Sequence, residues 1–233
     1  MHSTLHGKNA LLTGVSGGLG RQLAIALKTI GCRVLASGRN PTSLARVAAE
    51  IGVEAAAADL SSADEVEQLI GVARRVLGQI DVLVNCAGMF PVEPLEQASA
   101  EVFDRCFAVN VRAPYCLCQA FAPEMADRRW GRIINIGSSS AYAGFKNTSI
   151  YCASKHALLG LTRSLHDELK HRNVRCFCIS PGSIKTEMGR SVPGQDFETF
   201  LDPQEIAEFV VHIASYDGGM ITEEIRLNRM VIR

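Results

Sequence analysis

The sequence predicts an α/β fold: a doubly wound, mainly parallel sheet with helices on both faces, in a single domain over residues 1–233. Three observations carry this expectation. Short, almost wholly apolar runs alternate with longer segments whose apolar residues recur three or four apart, which are the periods of buried strand and amphipathic helix. Gly/Ser/Asn turns separate the two kinds of segment. No Pro/Gly/Ser-rich linker interrupts the rhythm, and 233 residues at 47% hydrophobic suffice for one substantial core.

In chain order, the apolar run Ala10-Leu11-Leu12 leads through a glycine-rich turn into a helix over residues 18–30. A strand at 33–36 leads into a helix at 41–51, and a strand at 53–58 into a helix at 63–77. Strand 81–84 is followed by a long helix over 100–125. Then come a strand at 132–136, a second long helix at 151–171 and a strand at 174–179. Right-handed crossovers between such strands leave few topologies. The one long irregular stretch, 187–202 with Pro193-Gly194, precedes a last helix near Pro203. A loop of that length in a compact domain is expected to be a lid.

Composition excludes several function classes. Lys and Arg total 24, Asp and Glu total 24, and the net charge is zero, so no basic field points to a nucleic-acid partner. No apolar run approaches the ~18 residues of a membrane helix, so no membrane partner is expected. Residues 1–8 are polar rather than basic and then apolar, which predicts a cytoplasmic protein with reduced thiols. The eight cysteines include no C-x-x-C pair and read as small buried hydrophobes, with no metal site expected.

Thr13-Gly14-Val15-Ser16-Gly17-Gly18-Leu19-Gly20 lies between the first strand and its helix. Gly14, Gly18 and Gly20 permit a tight turn and close approach, and the free N–H groups at the helix start suit a pyrophosphate. The same glycines would also serve a plain strand-to-helix turn. The second strand ends Ala36-Ser37-Gly38-Arg39-Asn40. A site for NAD usually has a carboxylate here, whereas a cation suits the 2′-phosphate of NADP. Arg39 therefore favours NADP(H) over NAD(H), unless it is only a solvated loop residue.

Tyr151 and Lys155, four apart at the start of a helix, share one face. A phenol has a pKa of about 10, and lowering it to about 7 takes on the order of 4 kcal/mol, which a neighbouring ammonium and a positive nicotinamide ring would help supply. Such a phenol exchanges a proton with a carbonyl or alcohol oxygen. The pair alone also occurs as ordinary helix-surface chemistry. Ser138, at the carboxyl end of the strand over 132–136, adds a hydroxyl where open α/β sheets place their ligand crevices.

With these motifs in order, the chain resembles the short-chain dehydrogenase/reductase family over about residues 8–227, in its shorter single-domain, Rossmann-type branch. The resemblance implies that Gly14, Gly18 and Gly20 hold the cofactor phosphates, with Leu19 in the same cofactor-binding turn. It implies that Arg39, supported by Ser37 and Ser16, selects NADP, that Asp59 with Leu60 meets the adenine, and that Asn85, Ala87 and Gly88 lie beside the nicotinamide-side ribose. Pro181, Gly182, Ile184 and Thr186 match the segment that contacts the carboxamide and pyrophosphate. Ser138, Tyr151 and Lys155 match the catalytic serine, tyrosine and lysine, Tyr151 and Lys155 also binding cofactor. Asn110 matches an asparagine that holds a water in the proton relay. The implied activity is reduction of a ketone or 3-oxoacyl-type carbonyl, or oxidation of the alcohol, by a homodimer or homotetramer acting on a small molecule.

Cys86 stands in place of a second asparagine and Gly137 in place of a first serine, while the carboxyl-terminal Glu224–Leu227 departs from the family's Asp-Gly-Gly ending and puts the usual tetramer contact in doubt. Competing classes are a nucleotide-sugar epimerase or dehydratase, for which too little chain follows Thr186, and a non-catalytic cofactor-binding regulator, which would lack the tyrosine or lysine. A serine hydrolase using Ser138 would need a histidine such as His156. Phe90, Tyr142, Phe145, Met188, Val192, Phe197 and Phe200 are candidate apolar contacts for substrate. An acyl-carrier partner would require Arg128, Arg129, Arg132 and Arg172 to converge.

Overall fold

The computed structural model describes residues 4–192 and 194–230; the ends of the predicted domain and Pro193 of the predicted lid lie outside them. Seven strands, β1 (Asn9–Thr13), β2 (Arg33–Gly38), β3 (Glu54–Ala57), β4 (Val82–Asn85), β5 (Gly131–Ile136), β6 (Val174–Pro181) and β7 (Glu224–Leu227), form one sheet in the order 3-2-1-4-5-6-7. Every pairing is parallel. The predicted doubly wound sheet is thus observed, and the divergent carboxyl terminus still supplies its last strand.

The sheet is covered on both faces because its side chains alternate between two apolar layers. Leu12, Val84 and Ile134 face the layer built with α1 (Gly18–Thr29), α2 (Pro41–Ile51) and α8 (Pro203–Ser215). Leu11, Leu83 and Ile133 face the layer built with α3 (Ala63–Leu77) and α5 (Ala113–Asp127). Each fully buried leucine contributes about 1.5–3 kcal/mol. Local signals set the helix ends: the Asn40 side chain accepts from the Ser43 N–H ahead of Pro41, and Gly52 closes α2 at φ 73°.

The predicted helix over 100–125 is broken into α4 (Ala100–Phe107) and α5, joined by a π turn over Ala108–Arg112. Pro114 gives the reason. It has no N–H for the carbonyl four residues earlier, that of Asn110, so the α-helical ladder cannot continue through this point. The predicted helix over 151–171 starts two residues earlier, as α6 (Ser149–Leu169), and ends in a 3-10 turn at Lys170–Arg172. The stretch at 187–202 is regular in two short pieces. It holds the one-turn α7 (Glu187–Arg190), capped by Thr186, and a 3-10 turn at Phe197–Thr199 capped by Asp196.

The four arginines that might have formed one basic patch each have separate partners. Arg128 donates to the Ile80 carbonyl at 2.7 Å, Arg129 to the His171 carbonyl at 3.4 Å, and Arg172 lies 3.8 Å from Asp127. Arg132 is fully buried, bonds Asp217 at 2.7 Å and stacks on Trp130. Among the described residues, no helix is long and apolar enough to cross a membrane.

Candidate active site

A cleft of about 810 Å³ opens at the carboxyl ends of the strands, where the reversal of strand order beside β1 makes the crevice of a doubly wound sheet. Of the predicted site residues, Gly14, Ser16, Gly18, Leu19, Gly20, Ser37, Arg39, Asp59, Leu60, Ala87, Gly88, Ser138, Tyr151, Lys155, Pro181, Gly182, Ile184 and Thr186 line it. Asn85 and Asn110 do not; both stand behind its wall.

The first half of the cleft is built by the turn after β1. Gly14 sits at φ +82°, and a side chain there would meet the Ala87 backbone nitrogen at 2.7 Å. A side chain at Gly20 would strike the Gly14 carbonyl. The turn is held to the next strand by Thr13, whose hydroxyl accepts from the N–H groups of Cys86 (3.1 Å) and Ala87 (3.2 Å). Helix α1 begins after Gly17 with no side-chain cap, so its first N–H groups are available to an anion. Among the described residues, the buried Ser37 hydroxyl has no partner, and Arg39 beside it is exposed and forms no ion pair. Asp59 accepts from the Ser61 N–H at 2.9 Å and hydroxyl at 2.7 Å. The Ser61 backbone bond chiefly, with Arg105 and Arg39 nearby, holds its carboxyl below the usual range. An uncapped helix, a cradle that side chains would fill, an orphan hydroxyl and a free guanidinium fit the pyrophosphate and adenosine half of a phosphorylated dinucleotide.

At the other half, β5 ends just before Ser138 and α6 carries Tyr151 and Lys155 across from it. The Ser138 hydroxyl accepts from the Ser140 N–H at 3.1 Å and lies close enough to the Tyr151 phenol to pull its pKa down. Lys155 is 4% exposed and donates to the Ile136 carbonyl at 2.8 Å. Its ammonium is 5.7 Å from the Tyr151 ring centre. Phe90 packs edge-on against that ring at 4.6 Å. The expectation of a lowered tyrosine pKa is not met in this protein alone. Burial pushes the Tyr151 phenol up to about 12, against the pull of the nearby Ser138 hydroxyl. Burial also lowers Lys155 below its ordinary value, since it is surrounded by thiols and a carbonyl rather than carboxylates.

Asn110 holds the wall in place. Its amide donates to the Met89 carbonyl and the Ser154 hydroxyl, both at 2.9 Å, and its oxygen accepts from the Met89 N–H at 2.8 Å. The side chain is therefore spent on protein, and its main-chain carbonyl is the group Pro114 leaves without an α-helical donor. Asn85 donates to the Asn135 oxygen at 2.8 Å, and Asn135 donates to Thr162 at 2.8 Å. This ladder from β4 through β5 to α6 was not foreseen; an asparagine inside the otherwise apolar Arg132-Ile133-Ile134-Asn135-Ile136 was the available signal. Arg105 and Lys146 also line the cleft, and no motif marks them.

Of the apolar candidates, Phe90, Phe145, Met188 and Val192 line the cleft. Tyr142 does not: it bonds Glu224 at 3.2 Å under the Arg226 guanidinium. Phe197 and Phe200 pack on each other. His156 bonds the Cys152 carbonyl of its own helix at 2.8 Å and does not line the cleft that Ser138 faces. All eight cysteines are free thiols, and burial pushes Cys86 up to about 12, so the one beside the cofactor cradle is no thiolate.

Residues 8–196 match the family model described as short chain dehydrogenase. The chain belongs to that family. This short-chain dehydrogenase is 33% identical over 227 residues to an uncharacterized oxidoreductase of Staphylococcus saprophyticus, covering 95% of this chain and 97% of the relative. It superposes with a TM-score of 0.86 on a metagenomic short-chain oxidoreductase in complex with NADP, at 32% identity over 98% of this chain and 100% of the other. It superposes with a TM-score of 0.89 on a 3-ketoacyl-(acyl-carrier-protein) reductase from Brucella melitensis complexed with NADH, at 29% identity over 97% and 98% of the two chains. It is accordingly an enzyme of the oxidoreductase class.

Proposed function

We propose that this enzyme is an NADP(H)-dependent reductase of a ketone or 3-oxoacyl-type carbonyl, with Tyr151 as the general acid. The observation that carries this reading is the meeting of Ser138, Tyr151 and Lys155 at one wall of a cleft whose far half fits a dinucleotide phosphate. The cofactor supplies a hydride when bound. Ser138, its oxygen already accepting from Ser140, donates its own proton toward the substrate oxygen and orients it. Tyr151 delivers a proton to that oxygen, and Lys155 stabilises the phenolate left behind and binds the ribose hydroxyls. The relay to solvent runs from the Asn110 main-chain carbonyl rather than from its amide.

The epimerase and regulator readings gain no support from this geometry: both the tyrosine and the lysine are present and placed together. Glu224–Leu227 supplies a strand of the sheet. A homodimer, or a homotetramer, is supported by the exposed Phe103 and Tyr115 along α4 and α5, and a cytoplasmic setting by the free thiols.

The neighbours hold NADP in one case and NADH in the other, so the choice here rests on Arg39 and the absence of a carboxylate at the end of β2. A charge-assisted bond to the 2′-phosphate contributes about 1.5–3 kcal/mol. A panel of carbonyls assayed with both cofactors is expected to show NADPH preferred by roughly tenfold or more in kcat/KM, and Arg39→Ala to remove most of that preference. A tenfold preference for NADH would overturn this assignment.

A further inference from the structure

The cleft lining contains polar groups that the proton relay does not use. Lys146, in the loop between Ser138 and α6, lines the cleft, is exposed and has no ion-pair partner among the described residues. Gln195, from the segment after α7, lines the same cleft. Its oxygen accepts from Arg229 at 2.8 Å and from the Ser183 hydroxyl at 3.1 Å. Two donors at one end of an amide settle which end is oxygen. The NH2 group is therefore the free end, and among the described residues it has no partner. Arg229 also donates to Thr199 at 2.8 Å, so the carboxyl-terminal segment holds this part of the cleft wall and fixes the amide.

The other charges in the cleft have roles already. Arg39, Asp59 and Arg105 belong to the adenosine end, with Arg105 lying 3.8 Å from Asp59. Lys155 is buried on the Ile136 carbonyl, and Glu187 is 3.7 Å from Arg190. What remains is one unpaired cation and one fixed pair of N–H donors, in a cleft that Phe145 and Met188 also line. Such a surface complements an acceptor with negative charge.

We propose that the physiological carbonyl substrate carries an anionic group, carboxylate or phosphate, which Lys146 receives with Gln195 donating, and that this pair sets specificity. The proposal rests on the carbonyl-reductase reading and deepens it. Its test compares matched substrates with NADPH: an oxo acid against its methyl ester, and a ketose phosphate against the free ketose. At least one anion is expected to exceed its neutral partner in kcat/KM by about tenfold or more, and the responding pair identifies the source of the charge. Lys146→Gln is expected to collapse that ratio, Lys146→Arg to retain it, and Gln195→Leu to lower it. The preference should also fall as salt is raised, which a purely structural lysine would not cause. Turnover of the neutral partners with no anion preference, or a preference that Lys146→Gln leaves intact, overturns this proposal alone. Absence of turnover in all four overturns it together with the reductase reading.

Discussion

Replacing Tyr151 by Phe is expected to reduce kcat for carbonyl reduction by a factor on the order of 10²–10⁴, the usual worth of a positioned general acid. NADPH binding should persist, because the phosphate cradle lies at the other half of the cleft. The change removes one oxygen and keeps the ring, so the edge-on packing with Phe90 at 4.6 Å remains and the fold has no reason to shift. The pH profile carries a second expectation. With the phenol pushed up to about 12 by burial, the protonated form dominates at neutral pH, and it is the form that reduction requires. Reductive kcat/KM should therefore show no tyrosine limb below about pH 9, whereas oxidation of the alcohol, which needs the phenolate, should rise with pH. Steady-state rates across pH, with NADPH affinity measured separately, check both. Full activity in the Phe variant would remove Tyr151 from the chemistry.

Lys155→Met is expected to separate catalysis from stability. Losing the cation that stabilises the phenolate should reduce kcat by about 10²–10³. Stability should hold or rise, because Lys155 is buried without a carboxylate and burial lowers its pKa from the ordinary 10.5. The variant loses one bond to the Ile136 carbonyl, worth about 1 kcal/mol, but is relieved of a desolvated charge, which costs more. The sign with pH follows from linkage. Between its lowered folded value and 10.5, the unfolded chain holds the Lys155 proton while the folded chain gives it up. The stability contributed by this group therefore rises with pH across that window. The advantage of the Met variant should be largest below the window and shrink through it. Thermal denaturation of both proteins at several pH values measures this; a Met variant much less stable at neutral pH would show Lys155 to be a structural group instead.

The fold was legible because its signals are local and repeated. Strands buried on both faces must be apolar throughout, and Asn40-Pro41 and Gly52 mark the ends of α2 in the sequence itself. The break at Ala108–Arg112 was missed because periodicity continues through a π turn, although Pro114 was visible and its missing N–H was the cue. The same holds within the site. Gly14, Ser138, Tyr151 and Lys155 stand in motifs whose spacing is set by one strand end or one helix turn, and all four line the one cleft. The Asn85–Asn135–Thr162 ladder, the Lys155 bond to Ile136 and the Arg229 hold on Gln195 join residues distant in the chain. No local pattern encodes them. The raised pKa of the Tyr151 phenol in the protein alone has a related cause: charge spacing is readable along a helix, but desolvation depends on everything packed around it.

The most direct measurement is the fate of a labelled hydride. With NADPH deuterated at the transferable C4 position and a ketone that the enzyme turns over, mass spectrometry of the alcohol should find deuterium on the carbinol carbon. The amount of labelled alcohol should fall in step with activity in Tyr151→Phe, while each alcohol molecule that does form still carries the label. An alcohol formed without the label, or a reaction that proceeds with no nicotinamide cofactor, would contradict the assignment of this cleft to hydride transfer.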